Sequence, residues 1–282
     1  MKLRLTCLAA AALYAVSAEA IVIRHDVADR AYRARERDWP AVFALYVNKA
    51  GHRDCVATLI APQWAVTAAH CTKDKPFLEA MAQPRPRFRT EIAGRPVLID
   101  HVVRHPQSER AQGGRFPDWV DLALVHLERP VARVRPVRLH DAEDEENMVV
   151  MLPGWGTTGN GAAGLGKPDG LFRLAQNRVG AAQGGWLFWR FDSPEEKGRA
   201  LPLEGVSGPG DSGGPALIRT RAGLEIVGVS SSQQTGGKPE GVYGVLEGYV
   251  RVSRFAPWIR QVMREHRETG AAGAPGLRPP TR

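Results

Sequence analysis

Short apolar runs separated by polar breaks make up most of the chain. Val42 to Val47, Trp64 to Ala69, Leu122 to Leu127 and Glu225 to Val229 are each too short for a typical helix, with Gly, Pro, Asn and Asp between them. Many such runs between Ile21 and Val252 predict an all-β antiparallel barrel or sandwich. One stretch reads as a helix: after Ser253, a candidate N-cap, the residues Phe255, Trp258, Ile259, Val262 and Met263 recur on one face. Beyond it the sequence turns to Gly, Ala, Pro and Arg, which predicts a disordered tail over 269–282. Two segments interrupt the pattern: Asp141 to Glu146, with five acids in six positions, and the glycine-rich Gly156 to Gly170. Both are expected to form exposed loops. Adjacent acids repel each other into solvent rather than converging on a cation, so no metal site is expected.

The amino terminus follows a different order. Lys2 and Arg4 precede an apolar run from Leu5 to Val16 and then the small residues Ser17, Ala18 and Ala20. That is the layout of a secretory signal peptide over residues 1–20, and the run is short of the roughly 20 apolar residues a membrane span needs. The expectation is an exported, soluble, monomeric protein, periplasmic or extracellular. Cleavage after Ala20 would leave Ile21 first; cleavage after Ala18 would leave Glu19 first. Either cut removes Cys7 and leaves Cys55 and Cys71, which read as one disulfide or as two separate buried thiols. The net charge of +8 suggests nucleic acid as a partner until its distribution is considered. From Arg251 onward there are seven arginines against two glutamates, so most of the excess lies at one end, where it suits a helix C-terminus and a solvated tail. No nucleic-acid partner is expected.

The strongest local motif is Gly210-Asp211-Ser212-Gly213-Gly214-Pro215, a serine between glycines that let other groups approach the backbone. It satisfies G-x-S-x-G, but in an α/β-hydrolase elbow the acid and histidine follow the serine. Here only His266 follows. Upstream, Thr67-Ala68-Ala69-His70-Cys71 ends one apolar run and Asp121-Leu122-Ala123-Leu124-Val125 begins another, giving the order His, Asp, Ser. Asp118 is a near rival of Asp121 but does not abut the apolar run, and His101 and His105 lack the glutamate of a zinc-protease helix.

With Gly154-Trp155-Gly156-Thr157-Thr158 and the closing Tyr249 to Ser253 and Trp258-Ile259, these blocks make the chain resemble the chymotrypsin/trypsin-like serine proteases, as a secreted member of bacterial type. The resemblance implies two packed six-stranded antiparallel β-barrels, residues 21–140 carrying the His and Asp and residues 141–268 carrying the Ser and a C-terminal helix. It implies a serine endopeptidase with His70 as base, Asp121 as its orienting acid, Ser212 as nucleophile, an oxyanion hole at the amides of Gly210 and Ser212, and no cofactor. It also implies a Cys55–Cys71 bridge, and pairing of an Ile21 terminus with Asp211, although Ile23-Arg24 stands where two glycines are customary. The primary specificity pocket would have Val206 as its floor, where trypsin-like members carry aspartate, and Ser230, Ser231 and Ser232 along its wall. Gly208 replaces a customary cysteine. An apolar floor predicts small or medium apolar substrate side chains, with Glu240 and Glu247 as the two acids able to reach in. The competing reading is a binding module on the same fold, whose known examples lack a triad residue.

Overall fold

The computed structural model describes residues 21–47, 51–111 and 119–272. The expected signal peptide, Asp118 and residues 273–282 lie outside them. After a short strand β1 (Val22–Ile23), six strands follow: β2 (Val42–Val47), β3 (Arg53–Ala61), β4 (Trp64–Thr67), β5 (Phe88–Ile92), β6 (Arg95–Arg104) and β7 (Ala123–Leu127). They form one antiparallel sheet in the order β2-β3-β4-β7-β6-β5. Thr90 on β5 donates its hydroxyl to the Ala44 carbonyl of β2 at 2.9 Å, so the sheet curls almost closed. Leu45, Leu59, Val66, Ile99 and Leu124 fill its interior. Strand β7, central in the sheet, is buried at every position, which is why its sequence runs apolar without alternating.

The second half adds β8 (Arg138–Leu139), β9 (Val149–Gly154), β10 (Gly159–Asn160), β11 (Gly164–Leu165), β12 (Arg173–Arg178), β13 (Ala181–Gln183), β14 (Trp186–Arg190), β15 (Gly205–Val206), β16 (Pro215–Thr220), β17 (Gly223–Gln234) and β18 (Leu246–Arg251). Its main sheet runs β12-β9-β16-β17-β18-β14-β13, with β8 alongside β17. Six long strands of this sheet make a half-barrel, and β8 and β13 are short additions. A side sheet, β11-β10-β1-β15, ties the first described residues to the second half: Val22 pairs with Val206 and Ile23 with Gly205. The fold is thus all-β with two barrel-like sheets and a C-terminal helix, as the sequence predicts.

Three local expectations change. A two-turn helix, α1 (Lys75–Met81), follows the His70 turn and buries Phe77, too short to show a periodic pattern in the sequence. The C-terminal helix, α2 (Val252–Ala272), extends four residues past the expected boundary at 268. Ser253 lies inside it rather than capping it, because its hydroxyl donates to Glu145 at 2.5 Å. That contact also corrects the acidic run. Glu145 is wholly buried and bonded to Arg251 at 2.6 Å, while its acidic neighbours stay exposed, so one acid of the five is a structural anchor. The glycine-rich segment is likewise more than an exposed loop, since it contributes β10 and β11 and buries Trp155-adjacent Gly156 and Thr158. No helix among the described residues is long and apolar enough to cross a membrane.

Candidate active site

His70 opens a single helical turn directly after β4, and Asp121 precedes β7, the strand paired with β4. Sheet pairing therefore sets the two side by side across 51 residues of chain. Two bonds lock them: the His70 amide donates to Asp121 Oδ1 at 2.9 Å, and His70 Nδ1 lies 2.6 Å from Oδ2. A donor at Nδ1 leaves Nε2, on the far side of the ring, as the basic nitrogen. Asp121 is buried, whereas the His70 side chain is 43% exposed, so the ring faces outward from a fixed root. Burial alone would raise the Asp121 carboxyl. The hydrogen bonds and charge of His70, with a third hydrogen bond from Ser231, outweigh burial and hold it below the usual carboxylate range.

Ser212 comes from the loop before β16, far from both partners in sequence. Its carbonyl accepts the amide of Val56 on β3 at 2.7 Å, which joins the two halves at this point. Cys55, next to Val56, is bridged to Cys71, next to His70, over a Cα–Cα distance of 5.9 Å. Cys71 Sγ consequently lies 3.4 Å from the Ser212 carbonyl and 3.7 Å from His70 Nε2. The bridge fills the corner between serine and histidine. Among the described residues no hydrogen bond joins His70 Nε2 to Ser212 Oγ; such bonds commonly tighten only when substrate binds. Disulfide sulfurs carry no thiolate charge, so the grouping of Cys55, Cys71 and His70 is not a metal site.

The glycines beside Ser212 are steric necessities. Gly213 has φ +78°, and a Cβ there would sit 2.3 Å from Thr67 Oγ1 and 2.4 Å from the Val56 carbonyl. Gly210, at φ +101°, lies against Gly156 and the Arg53 carbonyl. Among the described residues, the amides of Gly210 and Ser212 are given to no protein acceptor. Asp211 points the other way, into the second half. It accepts the Gly156 amide at 2.7 Å and the Gly208 amide at 3.0 Å, and complete burial pushes its carboxyl up to about 7 against those donors. Ile21 is buried beside it: a Cβ on Gly154 would meet Asp211 Oδ1 at 2.0 Å and Ile21 Cδ1 at 3.0 Å.

The three serines expected along the pocket wall separate. Ser230 pairs with Tyr249 and Ser232 with Gly248, leaving Ser231 as the extra residue of a β-bulge. The Ser231 hydroxyl, on the bulge, donates to Asp121 Oδ2 at 2.7 Å. Ser230 Oγ lies 3.1 Å from Ser207 Oγ. Ser232 Oγ is buried without a hydrogen-bond partner. Val206 is buried in β15 against β1. The rivals of the triad find other roles: His105 packs edge-on to Phe255 and Trp258, and His101 packs against His266 of α2. A groove of about 760 Å³ on the first sheet, lined by Tyr46, Arg53, Phe88 and Thr90, contains none of the triad residues.

A family model described as Trypsin matches residues 29–259. Among curated proteins, the chain is 30% identical over 240 residues to "Transmembrane protease serine 9" of Rattus norvegicus, a match covering 81% of this chain and 21% of that protein. The chain spans about a fifth of that relative's length. Given a family match across nearly all the described residues, and a histidine, a buried aspartate and the Ser212 loop brought close together by the sheet pairing and the disulfide, the chain belongs to the trypsin family.

Proposed function

We propose that the enzyme hydrolyses peptide bonds through an acyl-enzyme on Ser212, with His70 and Asp121 completing the triad. The observation that carries this reading is the chain of hydrogen bonds from Ser231 through Asp121 to His70 Nδ1, held against the Ser212 loop by the Cys55–Cys71 bridge. His70 Nε2 takes the Ser212 hydroxyl proton as Oγ attacks the carbonyl carbon. The oxygen of the tetrahedral intermediate is received by the amides of Gly210 and Ser212. The imidazolium, stabilised by the Asp121 carboxylate, then protonates the leaving amine, and water repeats the cycle to release the acid. Residues 21–140 supply the base and its partner and 141–268 supply the nucleophile, so the cleft between the halves is the substrate channel. No cofactor enters this chemistry.

Activation follows from Ile21. Its φ is +60°, an unfavourable torsion for a β-branched residue that costs about 1–3 kcal/mol. That torsion exists only while a residue precedes Ile21. Cleavage after Ala20 removes it and frees an ammonium beside the buried Asp211, which then ionises and holds the Gly210–Ser212 loop in shape. Signal removal and activation would be one cut. The apolar leader and the single bridge support an exported enzyme of bacterial type, periplasmic or extracellular and monomeric, acting on protein or peptide substrates. The test is casein hydrolysis by the secreted protein across pH 6 to 9, with Edman sequencing of the active form. Hydrolysis by wild type but not Ser212→Ala, with Ile21 first, is expected. Full activity with Glu19 first sinks the activation step, and undiminished hydrolysis by Ser212→Ala sinks the mechanism.

A further inference from the structure

Three imidazoles from three elements meet where α2 packs on the first sheet. Trp64 on β4 is the register partner of His126 on β7, and His126 is the partner of His101 on β6, so the three side chains form one row on a shared face of the sheet. Asp100 is the extra residue of a β-bulge just before His101, which brings its carboxylate against His126 as well. Its Oδ1 lies 2.7 Å from His126 Nδ1. A carboxylate only accepts, so Nδ1 donates and Nε2 carries the lone pair. That pairing is the one that orients an imidazole toward a metal ion. His266 arrives from α2 with its ring centre 4.2 Å from that of His126, 5.3 Å from that of His101 and 5.2 Å from that of Trp64. His126 is buried, His266 half-buried and His101 exposed, so the cluster opens to solvent on one side.

We infer that His101, His126 and His266 bind a zinc ion, with Asp100 orienting His126, and that the ion fastens α2 to the first sheet. No ligand spacing in the sequence links the three histidines; the strand register and the docking of α2 bring them together. Imidazole nitrogens suit zinc, whereas magnesium and calcium prefer oxygen donors. Three protein nitrogens leave the fourth tetrahedral position to water from the open side. Nitrogens about 2.0–2.1 Å from a tetrahedral ion set ring centres roughly 5 Å apart. His101 and His266 already have that spacing, whereas His126 and His266 are stacked closer, so binding moves the His266 ring out from His126 by about 1 Å. No step of the proposed hydrolysis passes through these residues. Zinc at this site therefore acts on the stability of the fold, and the inference stands apart from the catalytic reading.

The test titrates zinc sulfate into EDTA-treated, dialysed protein at pH 7.5, where imidazoles of ordinary pKa are neutral, by isothermal calorimetry, and records melting curves with the same additions. Wild type should bind zinc and gain about 5–10 °C in Tm at a hundredfold excess over Kd, while magnesium sulfate gives no gain. Asp100→Asn should weaken zinc binding about 10- to 100-fold, and His101→Ala and His266→Ala should each weaken it by at least that much. His70→Ala removes any ion held at the triad and should leave both readouts as in wild type. Absence of zinc binding by wild type at millimolar zinc overturns the proposal, as does unchanged affinity in either folded His101→Ala or His266→Ala. Loss of binding in His70→Ala also overturns it, because the ion then sits at the triad. His101 is exposed on its strand, so His101→Ala decides the matter even where His266→Ala fails to fold.

Discussion

Replacing Ser231 by alanine separates two readings of the serine run. Asp121 is buried, and its Oδ2 receives two donors, His70 Nδ1 at 2.6 Å and Ser231 Oγ at 2.7 Å. A hydrogen bond to a charged group contributes about 1.5–3 kcal/mol, which would be about 10- to 150-fold in rate if it acted only in the transition state. Part of this bond is present before reaction, and the His70 amide still fixes Oδ1, so the effect should fall near the lower end. Ser231→Ala is expected to lower kcat about tenfold with KM little changed, because the Ser231 hydroxyl is spent on Asp121 Oδ2. Ser230→Ala, one residue away and beside Ser207 on the expected pocket wall, should instead act mainly on KM and substrate preference. The acid side offers a second reading. A carboxyl held below its usual pKa contributes stability that is present above the ordinary value near 3.8 and lost as pH falls through the depressed one. Losing the Ser231 donor moves that loss to higher pH, seen as earlier acid unfolding between pH 5 and 3. The assay is steady-state hydrolysis of one small amide substrate by both variants, with melting curves over that range. Wild-type kcat in Ser231→Ala, with Ser230→Ala carrying the loss, would refute the bulge-based assignment.

Three further outcomes are expected. Gly154→Ala places a Cβ 2.0 Å from Asp211 Oδ1, and should cost about 1–3 kcal/mol in urea unfolding and most of the activity, through displacement of Asp211 rather than of His70. Replacing both Cys55 and Cys71 by serine opens a bridge between residues 16 apart and should lower stability by about 3 kcal/mol, with a further fall in kcat as the His70 turn loses its tether to the Ser212 loop. His266 stacks on His126, which bonds to Asp100, and packs near His101 and Trp64; burial, then the charges of His126 and His101, hold its pKa below the usual value. Its neutral form is therefore favoured by folding, so stability is full above about pH 6.5 and falls as pH drops through the lowered value. Melting temperature should decline between pH 7 and 5, and His266→Leu should flatten that decline.

Much of this was legible in the sequence because the informative features are local. The strands around β2, β4 and β7 read directly from apolar runs, and the order His70, Asp121, Ser212 follows from three short motifs. The features that escaped depend on a single residue's register or on contacts across the fold. Ser231 and Ser230 are indistinguishable until the bulge shows which one is left unpaired with β18. Glu145 looks like part of a repelling acidic run, and only the arrival of Arg251 and Ser253 from 106 and 108 residues away makes it an anchor. Glu247 interrupts an apolar strand, which marks it as unusual, but its burial beside the Ser207 hydroxyl belongs to packing across the fold and to no motif.

The central claim is a nucleophilic Ser212 activated by His70. Peptide mapping after reaction with a fluorophosphonate tests it most directly. One adduct is predicted, on the peptide containing Ser212, absent from Ser212→Ala and formed far more slowly in His70→Ala. An adduct on any other residue, or equal labelling rates in wild type and His70→Ala, would contradict it.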